Sequence, residues 1–302
     1  MNYEKRGGGS RSLPARVGRR LWVTAATALV LTAAVYTLSV RTVTGQRWEN
    51  AVLAGRRQDE TLAAARDANH MLDHVTVSSL GAAVAMLMLI GLARRRPALT
   101  AVAVGTVGIP LLLAEVLKRY VLSRPELVDA PARLSGNSFP SGHTTIAMSV
   151  LFGLALVVPY RLRGIAVGVC ALWAISVGAY TVAAGWHRPS DTIGADLLVL
   201  AVACALAGLL ARTGRVRPAT ERPSPLSALF LAPLCLVTLG GLGGGSLLLL
   251  ESVVRLSPAD PAVPRLAYAG GHALAAGASA AVTVVLLASL HRIDLDDPAA
   301  SP

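Results

Sequence analysis

The chain has 302 residues, 54% of them hydrophobic and only 15% charged, with a mean hydropathy of +0.57. A soluble domain carries about 25% charged residues, so this composition excludes an ordinary soluble enzyme and points to an integral membrane protein. The formal net charge of +11 invites a nucleic-acid reading, which the placement of the cations argues against.

Residues 1–20 are rich in Gly, Ser and Arg and read as a disordered basic tail. Eight apolar stretches follow, at roughly 21–40, 75–93, 98–117, 144–160, 164–184, 191–211, 228–250 and 267–290. Each approaches the ~20 residues a spanning helix needs. The first is longer than a secretory core of about 7–15 residues and ends in no small-x-small cleavage site, so it reads as a retained signal anchor. Between the first two stretches lies a polar outer segment, 41–74, with Ala-rich helical character around Thr61–Met71. His70 and His74 fall there, four apart, on what reads as a solvated helix face.

The expected partition is a cytoplasmic basic tail (1–20), a six-span core (21–211), a basic Pro-rich cytoplasmic linker (212–227), and two further spans with a short tail (228–302). The fold class is all-α, a polytopic helix bundle. The seventh stretch contains Gly240-Gly241-Leu242-Gly243-Gly244-Gly245. Small residues let helices approach closely in lipid, so this run reads as a packing surface or a homo-oligomer contact. Cys170, Cys204 and Cys235 all lie in apolar stretches. They read as buried, inert thiols, with no zinc spacing or disulfide framework.

With the N-terminus inside, 16 of the 28 Lys and Arg fall on inner segments, including Arg94-Arg95-Arg96 and Arg161 with Arg163. That bias has the sign of the positive-inside rule and places both termini in the cytoplasm. Much of the net charge is therefore topology, and no nucleic-acid partner is implied.

Three short segments then fall at the outer mouths of spans. In Pro140-Ser141-Gly142-His143, a helix starts at about Thr144, so Ser141 and Gly142 are expected to present free N–H groups to an anion, with the helix dipole assisting. Gly142 permits close approach, and His143 beside it can exchange a proton near neutral pH. In His187-Arg188-Pro189-Ser190-Asp191, the spacing of four puts His and Asp on one face of a helix start. A carboxylate on one ring nitrogen raises the basicity of the other and prepares it as nucleophile or base. Lys118 and Arg124, the latter before Pro125, add two cations suited to phosphate.

Together these segments resemble the type 2 phosphatidic acid phosphatase superfamily, which includes lipid phosphate phosphatases, bacterial acid phosphatases and vanadium haloperoxidases. Its signature is Lys-x6-Arg-Pro, Pro-Ser-Gly-His and Ser-Arg-x5-His-x3-Asp, and the likeness covers about residues 110–195. The resemblance implies a catalytic set of His187 as phosphohistidine nucleophile, Asp191 orienting it, and His143 protonating the leaving group and then activating water. It implies a phosphate-binding set of Lys118, Arg124 and the Ser141-Gly142 amides, with no cofactor and no metal.

This chain departs from the signature twice. Five residues, not six, separate Lys118 from Arg124, and the Ser-Arg pair falls at Tyr180-Thr181. Thr181 cannot supply a guanidinium, and Arg119, Arg133 and Arg188 are the candidates to replace it. The expectation is a multi-pass, bacterial-type cell-membrane phosphatase that hydrolyses a lipid phosphate or polyprenyl pyrophosphate at the outer face. One alternative is a non-catalytic lipid-phosphate-binding or scaffold protein on the same fold. A metal site built from two His and one carboxylate is the other, and the surrounding cations disfavour it.

Overall fold

The structure, a computed structural model, describes residues 8–58, 62–129, 136–255 and 260–295. It is an all-α bundle of ten helices among the described residues. The helices are α1 (Gly8–Val40), α2 (Val43–Gln58), α3 (Leu62–Asp73), α4 (Val77–Ala93), α5 (Pro97–Val116), α6 (Gly142–Val157), α7 (Tyr160–Ala183), α8 (Pro189–Arg212), α9 (Ser227–Val254) and α10 (Ala262–Ser289). Six of them, α1, α5, α7, α8, α9 and α10, are long and apolar enough to cross a membrane. Helices α4 and α6 are apolar but shorter, at 17 and 16 residues. All eight apolar stretches of the sequence are therefore helices.

Helix boundaries follow local chemistry. Thr76 and Ser79 close a reciprocal capping box at the start of α4, which satisfies two otherwise unpaired amides. Pro97 and Pro189 occupy the first turns of α5 and α8, where a missing N–H costs nothing. Helix α8 is the axis of the bundle. It packs against α1, α5, α6 and α10, and most of its residues from Pro189 to Ala211 are buried. Helix α9 lies at the rim on α10 and α7.

Four local expectations change. The basic tail is shorter than expected, because α1 already begins at Gly8. Val17 and Leu21, four apart, bury one stripe of its first turns in the main core. The segment 41–74 holds a second helix, α2, besides the expected α3. Trp48, Glu49, Val52 and Leu53 form the buried face of α2, which packs on α10. The linker after α8 contains a strand, β1 (Val216–Pro218), antiparallel to β2 (Ile293–Leu295), with Val216 opposite Leu295. Arg96 donates to Asp294 at 2.7 Å, tying this ribbon to the turn before α5. Of the three thiols, only Cys204 is fully buried, while Cys235 faces outward from α9. His70 and His74 are exposed as expected, with their rings stacked.

The Gly-rich run packs within the molecule. A Cβ at Gly241 would meet the Cα of Gly277 and the carbonyl of Ala273, and one at Gly245 would meet Leu274, so α9 and α10 touch backbone to backbone there. A Cβ at Gly240, Gly243 or Gly244 would meet nothing within 4 Å. Chain direction brings the end of α5 and the starts of α6 and α8 to one end of the bundle. The β1–β2 ribbon lies at the other.

Candidate active site

The three segments meet at that first end. Ser141 is the N-cap of α6, its hydroxyl accepting from the Thr144 amide at 3.4 Å. Its own amide donates to the backbone carbonyl of Asp191 at 2.9 Å. This corrects the expectation that the Ser141 N–H is free for an anion. The first two amides of α6, those of Gly142 and His143, have no intrahelical acceptor. The Lys118 ammonium lies 3.9 Å from where a Cβ on Gly142 would sit, so cation and helix N-terminus share one space.

Lys118 lies in a single wide turn, Leu117–Val121, that ends α5, with the Leu122 amide reaching back to the Leu117 carbonyl. Asn137 gathers the segment by donating to the carbonyls of Leu122 and Lys118 at 3.0 and 3.2 Å. The Phe139–Pro140 peptide is cis, and the Phe139 ring is fully buried against Gly194 of α8.

His187 and Asp191 form the expected pair. His187 Nδ1 donates to Asp191 Oδ2 at 3.2 Å, leaving Nε2 free for chemistry. The same oxygen accepts from Ser138 Oγ at 2.6 Å and from the Arg188 amide at 3.0 Å. The carboxylate therefore caps α8 and holds the imidazole at once. The loop carrying His187 turns at Gly185, whose φ of +68° suits glycine. The amides of Trp186 and His187 both donate to the Thr181 carbonyl, at 3.0 and 3.1 Å. His143 packs edge-on to Trp186 with ring centres 5.3 Å apart.

The three guanidinium candidates now separate. Arg119 is two-thirds exposed and paired to Glu115 at 2.8 Å. Arg133 lies outside the described residues. Arg188 is fully buried, with Nη1 donating to Ser138 Oγ at 3.3 Å. Thr181 is also fully buried, its hydroxyl donating to the Gly178 carbonyl at 2.7 Å and touching Thr192 at 3.1 Å.

One residue that the sequence reading passed over joins them. Glu49 of α2 is completely buried. Its Oε2 lies 3.1 Å from Arg124 Nη1 and 3.6 Å from Arg188 Nε, and its Oε1 accepts from Ser190 Oγ. Burial, and then the charge of Asp191, push its carboxyl up to about 7, against the pull of Ser190 and both arginines. Burial also lowers Arg188, with Glu49 and Asp191 opposing. Arg124 Nη2 is buried with no hydrogen-bond partner. A donor left in that state costs about 1–3 kcal/mol, and an arriving anion would relieve it.

Among the described residues no group of three or more His, Cys, Asp or Glu is arranged to hold a metal ion. The model of the PAP2 superfamily matches residues 98–217, a segment that contains all seven of the residues expected to do chemistry. No curated protein and no solved structure matches the chain significantly.

Proposed function

Taking the PAP2 superfamily segment at residues 98–217 as premise, we propose that this multi-pass membrane phosphatase-type protein hydrolyses a lipid phosphate or polyprenyl pyrophosphate at the outer face of the cell membrane. His187 Nε2 attacks phosphorus in line, and the bond to the leaving oxygen breaks as His143 gives that oxygen a proton. The phosphoryl group is then carried on His187. His143, now neutral, takes a proton from water, whose oxygen attacks phosphorus and frees phosphate and His187. Asp191 holds the imidazole in the tautomer that leaves Nε2 unprotonated. Lys118, Arg124, Arg188 and the amides of Gly142 and His143 oppose charge on the phosphoryl oxygens, which is where such catalysis gains most.

The carrying observation is the Asp191 carboxylate. It has three donors, one of them His187 Nδ1 at 3.2 Å, so the imidazole is aimed as a nucleophile requires. An apolar cleft of about 460 Å³ between α1, α8, α9 and α10, lined by Val35, Ile193, Leu197, Val282 and neighbours, supports a substrate with a hydrocarbon tail.

The test is turnover by purified protein in detergent, with chelator present, on a panel of lipid phosphates and pyrophosphates. His187→Ala should lose all turnover while staying folded. Acid-labile, base-stable phosphate should be trapped on His187 in the parent. Vanadate, which adopts five-coordinate geometry, should inhibit. Retained turnover in His187→Ala would overturn the mechanism.

A further inference from the structure

We propose that Glu49 is a positioning residue for phosphoryl transfer: its carboxylate holds Arg124 and Arg188 together as one two-guanidinium clamp, with Arg188 taking the place left by Thr181. This rests on the phosphatase reading. Glu49 lies outside the matched segment 98–217, on a helix that the three motifs do not include.

Arg124 and Arg188 both lie within ion-pair distance of one oxygen, Glu49 Oε2, at 3.1 and 3.6 Å. Two guanidiniums drawn that close repel one another, and away from water the repulsion is poorly screened. An anion between them offsets it. Arg124 is 4% exposed and Arg188 fully buried, so solvent cannot do the same work. The second Glu49 oxygen is fixed by Ser190, one residue before Asp191, which locks the carboxylate in register with the His187–Asp191 pair.

The clamp is also built to leave donors unused. Glu49 takes Nη1 of Arg124 and leaves Nη2 buried and without a partner. Ser138 Oγ lies between Arg188 Nη1 and Asp191 Oδ2, at 3.3 and 2.6 Å, so the clamp is wired to the carboxylate that orients the nucleophile.

Helix α2 is anchored for this task at several points. Gln46 Nε2 donates to the carbonyls of Val40 and Pro125, each at 2.7 Å. Asn50 donates to the Asp129 carbonyl at 2.8 Å, and Arg56 to the Ala183 carbonyl at 3.0 Å. Trp48 donates to Ser252 of α9 at 3.0 Å. The helix thus grips the loop after Arg124 and the loop before His187 with Glu49 between them.

The experiment measures kcat, KM and vanadate inhibition at about pH 8, where Glu49 is ionised, on one lipid phosphate for the parent, Glu49→Gln, Glu49→Asp, Arg188→Ala and Glu49→Gln/Arg188→Ala, with melting temperature to confirm folding. Glu49→Gln keeps the shape and a hydrogen bond but removes the charge. It should lower kcat by at least about tenfold, since small misplacements of a catalytic group cost that much or more. It should weaken vanadate inhibition in parallel with little change in KM, and Glu49→Asp should restore part of both. In the Arg188→Ala background the further loss should be small, because the clamp is already broken. Unchanged kcat and vanadate inhibition in Glu49→Gln, or losses that multiply independently in the double variant, would overturn the proposal. If the parent turns over no substrate, the phosphatase reading falls, and vanadate stabilisation against heat decides the clamp by itself. A smaller shift in Glu49→Gln than in the parent supports it, and equal shifts sink it.

Discussion

The backbone amide of Ser141 donates to the backbone carbonyl of Asp191 at 2.9 Å. Two motifs 50 residues apart in sequence are therefore joined main chain to main chain. Side-chain substitutions at His143 or His187 leave that bond in place. Loss of activity in such variants would report on the imidazoles and not on a separation of α6 from α8.

Under the proposed mechanism, Thr181→Arg is expected to slow turnover. Thr181 is fully buried against Thr192, and its carbonyl receives the Trp186 and His187 amides, so a long cation there crowds the loop that carries His187. Arg188→Ala should cost about 10³-fold in kcat, the scale of an arginine acting on a transferred phosphoryl group. Arg119→Ala should match the parent, because Arg119 points to solvent beside Glu115. Steady-state turnover of the three variants checks this, and a Thr181→Arg faster than the parent would reverse the assignment.

Sidedness is testable by cysteine labelling in a background lacking Cys170, Cys204 and Cys235. Single cysteines at 118, 143 and 187 should react with an impermeant reagent added outside intact cells. Cysteines at the exposed positions 95 and 161 should react only after the membrane is opened. Labelling of 143 or 187 from the inside alone would put the site on the other face.

Glu49 gives a pH signature. Burial raises its carboxyl from 4.5 to about 7, so between those values the folded chain holds a proton that the unfolded chain has released. Stability is then full below the lower value and declines as pH rises through the upper one. Melting temperature in detergent, followed from about pH 5 to about pH 8, should fall more steeply for the parent than for Glu49→Gln. Parallel slopes would remove Glu49 as the titrating group.

Gly194→Ala probes the wall behind the second motif. A Cβ there would run into the ring of Phe139, which is fully buried and cannot swing away. Overpacking of this kind costs about 1–3 kcal/mol. A lowered melting temperature with the expected loss of activity checks it, and Phe139→Leu in the same chain should recover part of both.

The eight apolar helices and the meeting of the three motifs were legible because membrane solvation writes itself as long apolar runs and chain direction follows by parity. His187 with Asp191 was legible from a spacing of four. Glu49 was not. A single acid among arginines in a polar stretch looks solvated, and only the packing of α2 on α10 turns it inward. The Ser141 amide was misjudged for a similar reason, since its acceptor lies on another helix. The early start of α1 escaped because Val17 and Leu21 gain their burial in a core shared with α8 and the β1–β2 ribbon, both distant in sequence.

Ser279 of α10 donates to Asp196 of α8 at 2.8 Å, where the carboxylate is wholly enclosed. An acid at that depth is costly in lipid unless it finds a polar companion, and the companion it has arrives on the last helix of the bundle. Deleting that helix would leave the acid facing hydrocarbon one turn beyond the candidate nucleophile's own carboxylate. The closing spans thus complete the enclosure of an acid on the axis helix. A protein truncated before residue 262 should still insert α8, whose mean hydropathy of 2.4 is high, but should melt at a lower temperature in detergent than the full chain.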